Sequence, residues 1–276
     1  MLSGPERSHA SSRSVYGVAP VTYASPASKE RRSAAPAATA FASAGGTRSV
    51  RPVCDATSVA DDAYVAGATP YTEQDEQWLR SGPMSKALDP NLRVTRVASR
   101  CPRNGTPRVL ECYPLRVAQN LARSETKGFS KNKWNSKKGD APVPWPNTFW
   151  LCCPVAISKI GKLEHEGFIK TYNSRFEHPE TQPDPEDALL DATKFRAQHT
   201  KYASHRWRLL SPDDVSLAKR EGYDAVLEKC GVGGLRVPTQ VKCLHLHYAH
   251  FLATKDNLVG EWCQNELDAR DERAHR

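Results

Sequence analysis

Apolar residues in this chain are spaced in two ways, and the change falls near residue 154. Upstream they come in short β-rich runs. Residues 93–100 set Val94 and Val97 among polar neighbours, residues 108–113 are rich in β-formers, and residues 147–153 carry Thr148, Phe149, Trp150 and Leu151. Each run predicts a strand. Residues 101–107 between the first two, with two prolines, Asn104 and Gly105, predict a turn. Downstream the spacing is helical. Pro154 opens a helix at the position where a missing N–H costs nothing. Ile157, Ile160 and Leu163 form its stripe, and Gly167 is its expected cap. Residues 173–185 are Pro-rich and acidic and read as a loop. A second helix is expected over residues 186–209. Ser211 caps a third, with Asp213 and Asp214 in its first turn, and Gly231 closes it. Upstream of the strands, Thr72 caps a short helix with Glu73, Asp75 and Glu76 in its first turn, Trp78 and Leu79 facing inward, and Gly82-Pro83 as its stop. The pattern predicts an α+β fold: a small, mostly antiparallel sheet covered by three or four helices. The alternative is a mainly helical domain with one hairpin.

Composition divides the chain further. Residues 1–53 are rich in Ala, Ser and Arg, poor in acids and without an apolar h-region, so they resemble an organelle transit peptide. The expected destination is the plastid stroma of the chloroplast, with the mitochondrion as the alternative. Residues 54–71 read as a linker, residues 72–262 as one globular domain, and residues 263–276 as a charged tail. No apolar run approaches the roughly 18–20 residues that span a bilayer. The longest, residues 149–157, is broken by Pro154, so a soluble mature chain is expected.

The net charge of +8 suggests nucleic acid until it is located. Residues 1–53 hold seven Lys/Arg against two acids, and residues 116–138 seven against one, which leaves the rest of the chain acidic. A nucleic-acid-binding core should be basic. The insertion at residues 116–140 interleaves Phe129 and Trp134 with lysines, a pattern that would suit weak contact with single-stranded RNA and equally a solvated surface loop.

The chemistry concentrates in Cys243-Leu244-His245-Leu246-His247-Tyr248-Ala249-His250, one thiol and three imidazoles in eight residues. On a helix already running at Cys243, the residues Cys243, His247 and His250 share one face; if the helix starts later, His245 joins instead. Thiolate and neutral imidazole are zinc ligands, and thiolates also hold iron–sulfur clusters. Cys153, at the start of the Pro154 helix, and Cys101, in the turn between two strands, are the candidates from elsewhere in the chain. The expected metal set is therefore Cys101, Cys153, Cys243, His245, His247 and His250, with zinc favoured over an iron–sulfur cluster because imidazole is abundant. Eight cysteines are too few for a small disulfide scaffold, and a bridge between adjacent Cys152 and Cys153 would be strained. Cys153 could alternatively act as a low-pKa nucleophile at a helix N-terminus. His199 shares a helix face with Tyr202 and Arg206 and could carry a proton. Gly231-Val232-Gly233-Gly234 leads into the histidine helix, and Gly233, Gly234, Arg236 and Lys242 could cradle an anion there.

These segments also form a linear pattern: Arg100-Cys101-Pro102, Gly105 and Pro107; Pro146, Phe149-Trp150-Leu151, Cys153-Pro154; Leu163-Glu164 and Gly167; Gly231 to Gly234; Val241 to His250; Asp256-Asn257, Val259-Gly260. The pattern resembles the bacterial domain-of-unknown-function family numbered 501, best represented in actinobacteria, over roughly residues 72–262. The resemblance implies Cys or His at the position of Cys153, an exchange a metal ligand tolerates. It also implies more variation at the position of His247 than at those of His245 and His250. The presequence, the insertion and one extra residue in the 101–107 turn depart from the bacterial form. The resemblance brings no reaction. A metal-binding organellar protein that could be an enzyme is the preferred reading, and an interaction or assembly protein with a structural Cys/His site is the competing one.

Overall fold

A computed structural model of the chain describes residues 63–82, 92–117 and 142–275. The segment expected as a transit peptide, the first half of the linker and most of the basic insertion lie outside these residues. Among the described residues, eight α-helices and two small antiparallel sheets make an α+β fold. No described helix is long and apolar enough to cross a membrane.

The main sheet has the order β1-β2-β3-β6, with β1 at Thr69–Pro70, β2 at Val94–Arg100, β3 at Pro107–Cys112 and β6 at Phe149–Leu151. All its neighbours are antiparallel. Alternation along β3 and β6 separates two faces. Val109, Glu111, Phe149 and Leu151 share one face, with Glu111 opposite Phe149 and Val109 opposite Leu151. Leu110, Cys112, Trp150 and Cys152 share the other and pack with Leu79 of α1 (Glu73–Ser81) and with Trp145. Thr72 caps α1 in a capping box: its hydroxyl accepts from Asp75 N–H at 3.2 Å, and the Asp75 carboxylate accepts from Thr72 N–H at 3.0 Å. That carboxylate also takes both Nη1 and Nη2 of Arg100 at 2.8 Å, tying α1 to β2.

The face bearing Glu111 meets the helices α2 (Pro154–His165), α4 (Pro185–Arg208), α7 (Leu244–Thr254) and α8 (Leu258–Ala274) around the largest apolar core. Three helical stretches differ from the sequence reading, and the second half of the expected linker instead supplies a 3-10 turn with buried Val65 and strand β1. α3 (Phe168–Glu177) runs into the stretch expected as a loop, because Tyr172 and Phe176 give it a buried stripe beneath its polar composition. Gly167, at φ 92°, is the hinge between α2 and α3. α5 (Pro212–Glu221) stops at left-handed Gly222 rather than Gly231, and a short α6 (Asp224–Leu227) follows. The expected C-terminal tail is the second half of α8, which buries Cys263 and Leu267. A two-stranded ribbon, β4 (Leu115–Val117) with β5 (Pro142–Pro144), brackets residues 118–141. The insertion therefore begins after β4. Arg116 is buried, with its guanidinium over the Trp145 ring at 5.1 Å.

Candidate functional site

Two groups of titratable side chains flank α7, and the helix start decides which histidine joins which. Cys243 is the N-cap, with extended φ −156° and ψ 122°, so the helix does not run at Cys243. The face built on that assumption, Cys243 with His247 and His250, does not form. His245 turns to the thiol instead, and His247 and His250 turn inward.

The first group lies at the mouth of α7. Cys243 Sγ stands 3.8 Å from His245 Nδ1, and Glu164 Oε1 of α2 lies 3.2 Å from the same nitrogen. The three donor atoms all fall within 4.8 Å of one another, among the described residues the one such trio of His, Cys, Asp or Glu. His245 Nε2 is 3.1 Å from the Ile157 carbonyl oxygen. A carbonyl only accepts, so Nε2 carries a hydrogen and Nδ1 is the atom left to face the thiol and the carboxylate. Zinc with sulfur at about 2.3 Å and nitrogen or oxygen at about 2.0–2.1 Å would set S and N about 3.6 Å apart, and N and O about 3.4 Å apart. The observed 3.8 and 3.2 Å bracket that spacing. The Ile157 carbonyl supplies the outer hydrogen bond that orients a metal-bound imidazole. Glu164 Oε1 also accepts from Leu244 N–H at 2.6 Å and so caps α7 from another helix. Burial disfavours a charged His245, but hydrogen bonds to Cys243 and Glu164 outweigh it and push its pKa up to about 10. Half-burial likewise pushes Glu164 up, and its hydrogen bond with His245 outweighs that and holds it below its ordinary range.

The second group is a buried polar core between α4, α7 and the sheet. Asn257, the N-cap of α8, accepts from Gly260 N–H at 2.8 Å through Oδ1. That backbone donor fixes the amide orientation, so Nδ2 donates to His250 Nδ1 at 2.8 Å and to His247 Nδ1 at 3.2 Å. Both imidazoles then carry their hydrogen on Nε2, and His250 donates it to Tyr64 Oη at 2.5 Å. Glu111 is fully buried and takes Arg96 Nε at 2.7 Å, Thr95 Oγ1 at 2.9 Å and His205 Nε2 at 2.8 Å. Burial raises the Glu111 pKa, but the hydrogen bonds from His205 and Arg96 win and keep it ionised. Burial pushes His247 and His250 well below their ordinary value, reinforced by neighbouring imidazoles. The phenyl ring of Phe149 stacks with both His205 and His250, at 5.7 and 5.6 Å.

The other expected site residues fall elsewhere. Cys101 lies half-buried at the end of the β2–β3 hairpin, and Cys153 packs against the apolar core at the N-cap of α2 without a side-chain bond to the helix. Neither joins a trio of donors. The seven described cysteines are free thiols, including Cys152 and Cys153. His199 is 3 % exposed; its Nδ1 accepts from Val232 N–H at 3.0 Å, and its Nε2 has no partner among the described residues. Burial, aided by the nearby Arg206, pulls its pKa down to about 4.

The glycine loop closes against His199. A Cβ at Gly231 would stand 1.8 Å from the His199 ring, and Gly233 and Gly234 hold φ of 72° and 73° that glycine adopts without strain. Val232 N–H goes to His199 and Gly234 N–H to Gly231 O. Arg236 and Lys242 are exposed, and the irregular stretch 235–243 separates the loop from the α7 N-terminus, whose Leu244 N–H is taken by Glu164. Arg206 holds the loop in place. Fully buried, it donates to the carbonyls of Leu227, Pro146, Gly231, Val226 and Cys230. The sequence reading missed Glu164 as a candidate ligand; its signal was its place one residue after the last stripe position of α2. It also missed Glu111 and Asn257, whose roles depend on cross-chain packing.

The molecule is thus an α+β domain with a Cys/His/Glu corner and a buried histidine core, both centred on one helix. Residues 97–265 match the family described as "Protein of unknown function (DUF501)", more than half of the chain, and the chain belongs to that family. No curated protein and no solved structure matches it.

Proposed function

We propose that this protein binds one transition-metal ion, zinc by preference, through Cys243 Sγ, His245 Nδ1 and Glu164. The observation that carries the reading is the Ile157 carbonyl on Nε2: it leaves Nδ1 facing a thiol and a carboxylate at zinc-like spacing. Sulfur, nitrogen and oxygen donors together suit zinc better than an iron–sulfur cluster, which takes thiolates. Three protein ligands at a partly exposed corner leave a fourth position for water or substrate, the arrangement of catalytic rather than closed structural zinc. The proton on His245 Nδ1 in the metal-free protein stands where the ion would bind, so zinc entry releases protons from His245 and Cys243. Bound zinc would polarise its water or a substrate carbonyl, and the Ile157 carbonyl on Nε2 would hold the imidazole in place for it.

The same contacts favour a second reading, a thiolate–imidazolium pair oriented by Glu164, in which Cys243 is a nucleophile. Zinc titration of the full chain in an unbuffered solution separates them. One equivalent bound with proton release, and Cys243 shielded from a disulfide reagent by the ion, supports zinc. No zinc uptake with a fast-reacting Cys243 selects the thiol reading. The N-terminal segment supports a plastid or mitochondrial location for the activity, and N-terminal sequencing of the cellular protein tests that.

A further inference from the structure

Tyr64 sits at the edge of the buried polar core. Glu111, His205, His250, Phe149 and Tyr202 are each 0–1 % exposed, whereas Tyr64 is half-buried. The Tyr64 ring packs against His205 at a centroid distance of 4.8 Å and against His250 at 5.8 Å. Its oxygen accepts from His250 Nε2–H, whose direction is fixed through Asn257 and Gly260.

The walls and the occupant come from different parts of the chain. Glu111, Phe149, Tyr202, His205, His250 and Asn257 all lie inside residues 97–265, the span that matches the family. Tyr64 lies before it, on a 3-10 turn, Ala63–Val65, attached to the sheet by the two-residue strand β1. The strap is short; Ala63, Ala66 and Gly67 along it are exposed, and Val65 anchors it in the apolar core. An ordinary core tyrosine needs no carboxylate-backed imidazole on one side and a directed N–H on the other. This pocket supplies both: the His205–Glu111 pair at 2.8 Å and the His250 donor at 2.5 Å.

We propose that this is a ligand pocket of the family domain, built for a phenol or a similar small aromatic alcohol, and that Tyr64 is its intramolecular occupant in this chain. The ring of the ligand takes the place of the Tyr64 ring beside His205 and His250. Its oxygen accepts from His250 Nε2–H. The strap is then a cover whose release opens the pocket. The proposal is independent of the metal reading, since none of these residues belongs to the Glu164–Cys243–His245 corner.

The test is calorimetric titration of the full chain and its Tyr64→Ala variant with phenol and with toluene, which has the ring but no oxygen. The expected result is that Tyr64→Ala binds phenol at least tenfold more tightly than toluene, while the wild type binds neither over the same range. Replacing His250 by Leu in the Tyr64→Ala background should erase the preference. Equal binding of the two compounds, no binding of phenol, or a preference that survives His250→Leu overturns the proposal. Should Tyr64→Ala be unfolded alone, phenol but not toluene should restore its folded circular dichroism; rescue by both or by neither overturns it equally.

Discussion

Helix α7 carries imidazoles with opposite electrostatic fates two residues apart. At its mouth, His245 meets Glu164 and Cys243, is a quarter exposed, and is held charged. Inside, His247 and His250 meet an amide, aromatic rings and other imidazoles, are 0–1 % exposed, and are held neutral. The difference is one of neighbours, not of residue type. A half-wet corner with an anionic carboxylate suits an exchangeable cation, whether proton or metal. A dry interior with one orienting amide suits a neutral N–H donor of fixed direction. Histidine richness alone therefore does not define a metal site; only the residue on the N-cap side of α7 has the donors to make one.

The contrast can be broken at either end, with effects of different size. Glu111→Ala in the core removes the buried pairs of this carboxylate with Arg96 and His205 and should cost about 3–5 kcal/mol in urea denaturation. Glu164→Ala at the mouth removes a half-exposed cap of α7 and should cost only about 1 kcal/mol, while abolishing zinc uptake.

Acid should attack the interior first. His199 has a folded pKa near 4 against about 6.5 unfolded, and His250 is shifted the same way. Above about pH 6.5 both states are neutral and stability is fully present; as pH falls toward 4 the unfolded chain gains protons the folded chain refuses. His199 alone should remove stability on the order of 3 kcal/mol across that window, followed by denaturation at stepped pH. A flat profile between pH 7 and 4.5 would mean that these imidazoles are solvated.

Asn257→Ala should cost about 2 kcal/mol, since it uncaps α8 and leaves the Nδ1 atoms of His247 and His250 without a donor. Asn257→Ser should recover the cap portion only, and a thermal melt of both variants checks the split. The smallest effect belongs to Cys243→Ser, which should shift metal-free stability by less than about 0.5 kcal/mol, because the thiol is half-buried and caps nothing.

Local signals carried much of this architecture. Thr72, Pro154 and Ser211 announce their helices through side-chain caps and proline geometry, and β3 and β6 follow from β-rich runs. The site was legible as a segment but not as a geometry. Whether Cys243 is helical or extended rotates the whole set of ligands, and that depends on Glu164 reaching across from α2 to cap Leu244. The same limit hid α8, whose charged surface masks the burial of Cys263 and Leu267, and α3, where Pro-rich flanks obscure the Tyr172–Phe176 stripe. Cys101 and Cys153 looked like ligands because thiols near histidines are good donors; tertiary packing assigned one to a hairpin end and the other to an apolar core.

Cobalt(II) titration of the full chain tests the central claim most directly, because a cobalt–thiolate bond gives a charge-transfer band whose intensity counts sulfur ligands. One equivalent of cobalt should produce a single-thiolate band that disappears in Cys243→Ser and His245→Ala and persists in Cys101→Ser and Cys153→Ser. A band that survives Cys243→Ser, or that is lost with Cys101→Ser or Cys153→Ser, would contradict the assignment of the site to the mouth of α7.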